Sequence, residues 1–166
     1  MKAITFAKPG GPEVLGLGEV PDPVPNPHQL LVRVRASALN RADTMQRIGA
    51  YPPPPGESDI LGLELAGEVE AVGSAVQGFG PGDRVFGLVG SGGYAEKAVI
   101  DARMAMPIPD GWSFSQAAAV PEVYFTAQET IFTLGGLRAG ETILIHAGAS
   151  GVGTAGIQMA RETGAR

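Results

Sequence analysis

The chain has 166 residues, of which 44% are hydrophobic and 17% are charged. This composition is typical of one compact domain with part of a second. Its 12 basic and 17 acidic residues give a net charge of −5, which excludes an electrostatic surface for nucleic acid or for a membrane. There is no cysteine, which excludes disulfides and cysteine-bound zinc. No signal-peptide pattern and no membrane-length apolar run is present, so we expect a cytoplasmic protein.

The first two thirds of the chain predict a β-rich region. Alternating and apolar runs predict strands at residues 3–7, 14–20, 30–38, 61–72, 83–89, 94–100 and 104–108. The segment 21–27 contains four prolines, which supply no backbone N–H for a ladder, so it is expected to be an extended connection. A short helix is predicted over residues 40–48, followed by a proline-rich loop over 50–59.

The character of the sequence changes after residue 110, where helices are predicted. Ser113 is a suitable N-cap for a first short helix. Pro121 can begin the next helix, which is expected to run to about residue 134 and to end at Gly135–Gly136. A last helix from Gly151 places Val152, Ala155, Met159 and Ala160 on one face.

A glycine-rich turn lies between the predicted strand 142–145 and this last helix. Its glycines, Gly148, Gly151 and Gly153, form a Gly-x-x-Gly-x-Gly pattern, which alone is a weak match to a dinucleotide-binding fingerprint. The preceding strand and following helix strengthen the match, because N–H groups at a helix start can bind a pyrophosphate. The residue that would distinguish NAD from NADP is expected at or beyond Arg166.

Two side chains in the β-rich region are candidates for a substrate site. Asn40 can donate a hydrogen bond to a ribose or a substrate oxygen, although from the sequence alone an N-cap is the favoured interpretation. Tyr51 precedes four prolines and can offer its phenol to a carbonyl, or can equally be a surface aromatic.

Glu64 and Glu68 are expected to face solvent or to pair with arginines. The two histidines, His28 and His146, are far apart in sequence and indicate no metal site.

Seven stretches resemble the zinc-free quinone oxidoreductase branch of the medium-chain dehydrogenase/reductase superfamily, most closely its tumour-suppressor-inducible group. They are residues 8–13 (KPGGPE), 36–43 (ASALNRAD), 51–56 (YPPPPG), 61–64 (LGLE), 80–85 (GPGDRV), 116–122 (QAAAVPE) and 146–153 (HAGASGVG). The resemblance implies an α/β fold overall, with a GroES-like β-rich catalytic domain over residues 1–122. The start of a Rossmann domain, its first strand and helix, is expected over residues 123–166.

The resemblance also implies site residues and a cofactor. Zinc-dependent relatives place a cysteine where this chain has Asn40, and a Gly-His-Glu where it has Gly62-Leu63-Glu64, so no metal ligand is expected. By analogy, Asn40 and Tyr51 line the nicotinamide and substrate cleft, with Asn40 also contacting the cofactor. Thr126 lies near the nicotinamide, and Ser150, Gly151, Val152 and Gly153 contact the pyrophosphate. Met45 replaces a tyrosine that many quinone reductases carry.

The expected activity is metal-free, NADPH-dependent reduction of a small-molecule quinone, with Asn40 and Tyr51 as catalytic residues. An NADPH-dependent enoyl or enone reductase is the alternative enzyme. A further alternative is a non-catalytic fragment, because a doubly wound domain needs more strands than this chain offers. The 166-residue chain alone is expected to be inactive and to bind NADPH weakly, and a homodimer is expected at full length.

Overall fold

The computed structural model describes all 166 residues, Met1–Arg166. The chain divides into two compact units, Met1–Ala119 and Val120–Arg166, a little before the expected boundary between residues 122 and 123. The first unit is built mainly from β-strands and the second from helices. The expected mixed α/β fold class is therefore confirmed.

The first unit begins with a two-stranded antiparallel ribbon, β1 (Lys2–Thr5) and β2 (Gly16–Glu19). The predicted second strand starts later than expected because Pro12–Val14 forms a single 3₁₀ turn. The ribbon is attached through β1, where the Ile4 N–H donates a 2.9 Å hydrogen bond to the carbonyl of Tyr94. The proline-rich segment 21–27 that follows contains no helix or strand, as its missing N–H donors require.

A five-stranded antiparallel sheet forms the centre of this unit. Its strands are β3 (Gln29–Ala36), β4 (Glu64–Val72), β5 (Arg84–Leu88), β6 (Lys97–Asp101) and β7 (Ala105–Pro107), in the spatial order β6-β3-β4-β5-β7. Each overlaps a predicted strand. The long β4 lies at the middle of the order, so side chains from its N-terminal end reach the polar groups at the end of β3.

The alternation of apolar and charged residues along β3 shows which face of the sheet covers the core. Val32 is fully buried, whereas Arg33 and Arg35 point outward and pair with Glu70 and Glu68 on β4. Burial of each large aliphatic side chain stabilises the fold by roughly 1.5–3 kcal/mol. The buried cluster consists of Leu30, Val32, Leu65, Val69, Val85, Val89, Ala98, Ile100 and Ala105.

Two short helices complete the first unit. Helix α1 (Arg41–Arg47) follows β3 directly, within the predicted range 40–48. Helix α2 (Phe114–Ala118) packs on β3, β4 and β5. The Gln116 N–H donates a 3.2 Å hydrogen bond to the Ser113 hydroxyl, which confirms the predicted N-cap.

The second unit contains a long helical segment and a terminal helix. Helix α3 (Pro121–Ala127) continues as a π-helix over Gln128–Leu134. Gly136 follows with φ +66°, a conformation that favours glycine, so the predicted extent is confirmed although the widened geometry is not foreseen. Helix α4 (Gly151–Glu162) packs against α3. None of the helices combines the length and apolar composition needed to cross a bilayer.

The predicted strand over residues 142–145 is not found as a regular strand. Its pairing consists of two 2.8 Å hydrogen bonds, from the Ile143 N–H to the carbonyl of Arg166 and from the Arg166 N–H to the carbonyl of Glu141. This alternation is the pattern of a parallel pair, as in the first β-α-β turn of a doubly wound sheet. One further bond, from the Gly140 N–H to the carbonyl of Gly164 at 3.0 Å, joins the same two segments, and these few bonds do not make a regular ladder.

Candidate active site

Asn40 is held at both its backbone and its side chain. It occupies the N-cap position of α1 in an extended conformation, with φ −119° and ψ 154°. Its backbone N–H donates a 2.7 Å hydrogen bond to Oδ2 of Asp43. Its side-chain nitrogen Nδ2 donates a 2.6 Å hydrogen bond to Oε1 of Glu64 on β4. The predicted N-cap position is thus confirmed, and the amide is directed to a carboxylate of the sheet.

Asp43 links Asn40 to Tyr94. The Asp43 side chain is 4% exposed, and its Oδ2 also accepts a 2.6 Å hydrogen bond from the Tyr94 hydroxyl. Burial, together with the adjacent Asp43 carboxylate, raises the pKa of Tyr94 well above the usual range of a tyrosine. The phenol therefore stays protonated and remains a donor. The second oxygen of Asp43, Oδ1, is buried without a hydrogen-bond partner.

Glu64 corrects one sequence-based expectation. It was expected at the surface, yet only 1% of its area is exposed. Both faces of the sheet are covered at the N-terminal end of β4, and residues 61–67 are all buried. Alternation along the strand therefore does not distinguish buried from exposed residues there. A buried carboxylate needs hydrogen-bond donors, and Asn40 is one of them. Glu68 pairs with Arg35 as expected, with an Nη2–Oε2 distance of 2.6 Å.

Gln46 anchors α1 one turn after Asp43. Its Nε2 donates a 3.2 Å hydrogen bond to the hydroxyl of Ser91, which in turn donates to the carbonyl of Ile60. Sequence reasoning missed Tyr94, Gln46 and Ser91, because their partners lie between 31 and 51 positions away along the chain. The one local signal was a glutamate inside an apolar run at 61–65.

Tyr51 remains on the irregular loop that follows α1. The side chain is 51% exposed, and the loop carries four consecutive prolines directly after it. Proline fixes φ and stiffens such a segment. The phenol is therefore accessible to a ligand, and its role at a substrate site stays a prediction.

The glycine-rich turn of the second unit ends at the N-terminus of α4. Ser150 is its N-cap, and the Gly153 N–H donates a 3.0 Å hydrogen bond to the Ser150 hydroxyl. The N–H groups of Gly151 and Val152 belong to the first helical turn, where no intrahelical acceptor exists. Together with the helix dipole, such groups favour an anion.

Gly153 allows the helix to lie against the turn. A Cβ at this position would fall 2.7 Å from Cα of Gly148 and closer still to the carbonyl oxygen of Ala147. Ala147 itself has φ +52°. These close backbone approaches fit the role that glycine plays in a dinucleotide-binding turn. The residues present therefore fit a pyrophosphate group.

Thr126 lies in the last turn of α3, two residues before the π-helix begins at Gln128. Its carbonyl accepts a 2.7 Å hydrogen bond from the Thr130 hydroxyl, and its side chain is half-buried. π-Helical turns occur frequently at functional sites. Thr126 belongs to the second unit with Ser150–Gly153, whereas Asn40 and Tyr51 belong to the first.

No three histidine, aspartate or glutamate side chains are grouped so as to hold a metal ion. Near Asn40 the two carboxylates, Asp43 and Glu64, instead accept hydrogen bonds from N–H and O–H donors. The arrangement presents a neutral amide on a rigid support. Such an amide can donate a hydrogen bond to a ligand oxygen.

Comparison with known families identifies the first unit. Residues 26–110 match the alcohol dehydrogenase GroES-like domain family. This range includes β3 to β7 and all the residues around Asn40, so it accounts for the sheet and for the site built on it.

Two kinds of curated protein are among those similar to this chain. Quinone oxidoreductase of Mus musculus is 43% identical over 166 residues, covering 99% of this chain and 50% of the relative. Erythronolide synthase of Saccharopolyspora erythraea is 45% identical over 150 residues, covering 87% of this chain and 4% of that protein. The chain thus spans about half the length of the quinone oxidoreductase and a small part of the synthase.

Solved structures show the same two similarities, to quinone oxidoreductases and to an enoyl reductase. Escherichia coli quinone oxidoreductase complexed with NADPH superimposes with a TM-score of 0.90 and 37% identity, covering 100% of this chain and 51% of that one. The CurK enoyl reductase superimposes with a TM-score of 0.89 and 29% identity, covering 99% and 52%. The chain belongs to the alcohol dehydrogenase GroES-like family, in the medium-chain dehydrogenase/reductase superfamily and alongside its quinone oxidoreductases.

Proposed function

We propose that the protein reduces a quinone with NADPH as the electron donor. The observation that carries the proposal is the fixed amide of Asn40, a neutral donor with a second N–H that Glu64 Oε1 does not use. The similarity to quinone oxidoreductases over nearly the whole chain supports the choice of substrate class. Similarity to an NADPH-complexed structure supports the choice of cofactor.

The second unit offers the groups that would hold the cofactor. The N–H groups of Gly151 and Val152 and the Ser150 cap would bind its pyrophosphate. Thr126 would lie near the nicotinamide. NADPH, when bound, supplies the reducing equivalents, and the protein supplies binding, orientation and exclusion of water.

Asn40 and Tyr51 would act on the substrate oxygen. A quinone carbonyl gains negative charge as it is reduced, and pre-positioned hydrogen-bond donors stabilise such charge. A quinone needs no strong acid to accept electrons, so neutral amide and phenol donors are sufficient. Tyr51 is half-exposed and Asn40 is partly exposed, so a ligand can approach both residues.

The test is steady-state NADPH oxidation with a quinone. It uses a longer form of the protein, extended to the full length of the quinone oxidoreductases that the chain resembles. Asn40→Ala and Tyr51→Phe are each expected to lower kcat by about tenfold to a hundredfold. Glu68→Gln, which alters a surface ion pair on the same strand, is the matched control and is expected to keep the original kcat. Unchanged kcat and KM in both site variants would remove these residues from the mechanism.

Reduction of an activated double bond is a second candidate, favoured by the likeness to the CurK enoyl reductase and by matches to polyketide synthases. This reaction needs a proton donor, for which Tyr51 is the candidate. Enone and enoyl-thioester substrates assayed beside quinones separate the two activities. A kcat/KM that is higher for the enoyl thioester than for the quinone, and that is lost in Tyr51→Phe, would favour double-bond reduction.

The 166-residue chain by itself is proposed to bind NADPH weakly or not at all. Its second unit contributes the glycine-rich turn and a few backbone hydrogen bonds between residues 140–143 and 164–166. A fluorescence titration with NADPH, with the longer form as reference, tests this. Tight binding by the 166-residue chain would overturn it. Dimer formation and a cytoplasmic location remain predictions.

A further inference from the structure

We propose that Glu64 is a positioning residue, which selects the orientation of the Asn40 amide. The inference rests on the proposed function, in which Asn40 donates to the substrate oxygen, and it adds a residue to that site. Glu64 itself does not touch the substrate in this account; it acts only through Asn40.

The backbone of Asn40 is fixed independently of Glu64. Its N–H is bonded to Asp43 Oδ2 at 2.7 Å, and that oxygen is held from the other side by the Tyr94 hydroxyl at 2.6 Å. The remaining freedom of Asn40 is therefore in its side chain, above all in the 180° flip that exchanges the amide oxygen and nitrogen.

The flip matters because the two ends of the amide have opposite hydrogen-bonding character. Nδ2 carries two N–H donors, whereas Oδ1 only accepts. An amide that presents Oδ1 toward a developing oxyanion repels it, and one that presents N–H stabilises it. The Asn40 side chain lies toward the backbone N–H of Asp43, as in a capping box, without completing a capping hydrogen bond. The group that is bonded to the amide, Glu64, therefore decides its direction.

A carboxylate settles the flip because it offers acceptors only. Oε1 of Glu64 accepts a 2.6 Å hydrogen bond from Nδ2, and an ionised carboxylate is a stronger acceptor than a neutral group. The opposite flip would place Oδ1 against the carboxylate oxygen of Glu64. Because Glu64 is only 1% exposed, solvent would weaken this repulsion little. The Glu64 side chain is itself immobilised by burial at the start of β4.

Glu64→Gln tests the selection directly. Glutamine has nearly the same shape, but its own amide offers both a donor and an acceptor, so it can pair with either flip of Asn40. The selection is lost although a hydrogen bond is kept. Glu68→Gln changes another glutamate of β4 in the same way, away from Asn40, and serves as the matched control.

The first measurement is made on the 166-residue chain by NMR. The chain has two asparagines, Asn26 and Asn40, so the second side-chain amide is an internal reference, and Asn40→Ala assigns the signals. In the unaltered chain the Asn40 amide protons are expected to exchange with water more slowly than those of Asn26. Equal exchange rates, or Asn40 signals that Glu64→Gln leaves unchanged, would overturn the proposal without reference to any variant's activity.

The second measurement is a double-mutant cycle on quinone reduction in the longer form. Glu64→Gln is expected to lower kcat by about tenfold with KM for NADPH nearly unchanged. In an Asn40→Ala background the same change is expected to have less than about a twofold effect, because the residue acts through Asn40. Independent, multiplicative effects would contradict the positioning role. Absence of quinone reduction by the unaltered enzyme would instead contradict the proposed function, with the NMR result deciding the orientation separately.

Discussion

The Tyr94 hydroxyl donates a 2.6 Å hydrogen bond to Oδ2 of Asp43, joining two residues that are 51 positions apart in sequence. The same oxygen receives the backbone N–H of Asn40. One buried carboxylate oxygen thus fixes both the start of α1 and the segment that precedes β6. Because burial and Asp43 together raise the pKa of Tyr94, the phenol stays protonated and remains the donor throughout the neutral range.

Removing this hydroxyl should destabilise the first unit. Tyr94→Phe leaves Asp43, already with one unpaired buried oxygen, with one donor fewer. A buried group that loses its partner costs about 1–3 kcal/mol. Denaturant unfolding of the 166-residue chain measures the change. Tyr51→Phe, at a half-exposed position, is the control and should stay within about 0.5 kcal/mol of the original stability; equal values for the two variants would contradict the structural role of the Tyr94–Asp43 pair.

Gly153→Ala should disrupt the turn before α4. The added Cβ would meet the backbone of Ala147 and Gly148, which cannot move aside as a flexible side chain can, so a loss of about 1–3 kcal/mol is expected. Gly148→Ala is the control in the same turn, since its Cβ would meet only the end of Ile157 at 3.4 Å. Thermal unfolding followed by circular dichroism compares them. A Gly148→Ala variant less stable than Gly153→Ala would contradict the close approach described.

Ser150→Ala should weaken α4 by loss of its cap. The Ser150 hydroxyl accepts the Gly153 N–H at 3.0 Å, and loss of such a cap typically costs about 1 kcal/mol. Ser150→Thr retains the hydroxyl and should recover most of the difference. Amide hydrogen exchange in the first turn of α4 provides the measurement, and unchanged exchange in Ser150→Ala would argue against the cap.

The Asp101–Arg103 pair should produce an acid-dependent term in stability. The hydrogen bond from the Arg103 side chain lowers the pKa of Asp101 from 3.8 to about 2. Because the folded-state pKa is the lower one, the stabilisation is present above pH 3.8 and is lost as the pH falls through about 2. The pair lies near the surface, so the effect should be below about 1 kcal/mol. In Asp101→Asn the free energy of unfolding should depend less on pH over this range. If the variant keeps the original pH dependence, the Asp101–Arg103 pair is not its cause.

Much of the fold could be predicted because local signals were strong. Alternation along β3, the Ser113 cap and Pro121 at a helix start each depend on neighbouring residues alone. The π-helix at Gln128–Leu134 could not be foreseen, since no residue type distinguishes it from an α-helix. The segment 142–145 was predicted as a strand from its own composition, but a strand also requires partners, which its composition does not supply.

The site was predicted only in part. Asn40 was found from its place between a strand and a helix, whereas the residues that hold it come from distant segments. Glu64 was misassigned to the surface because alternation was assumed for a strand covered on both faces. The roles of Asn40, Tyr51, Thr126 and the 150–153 turn in binding stay predictions, since they depend on ligands.

Quinone-dependent NADPH oxidation after exhaustive chelation tests the central claim most directly. The rate is measured on the longer form of the protein, extended to the full length of the similar quinone oxidoreductases. It is measured with and without chelator, and Asn40→Ala is the comparison. The account predicts oxidation that requires the quinone, continues at an unchanged rate after chelation and falls in Asn40→Ala. No quinone-dependent oxidation, or a rate lost on chelation and restored by added zinc, would contradict it.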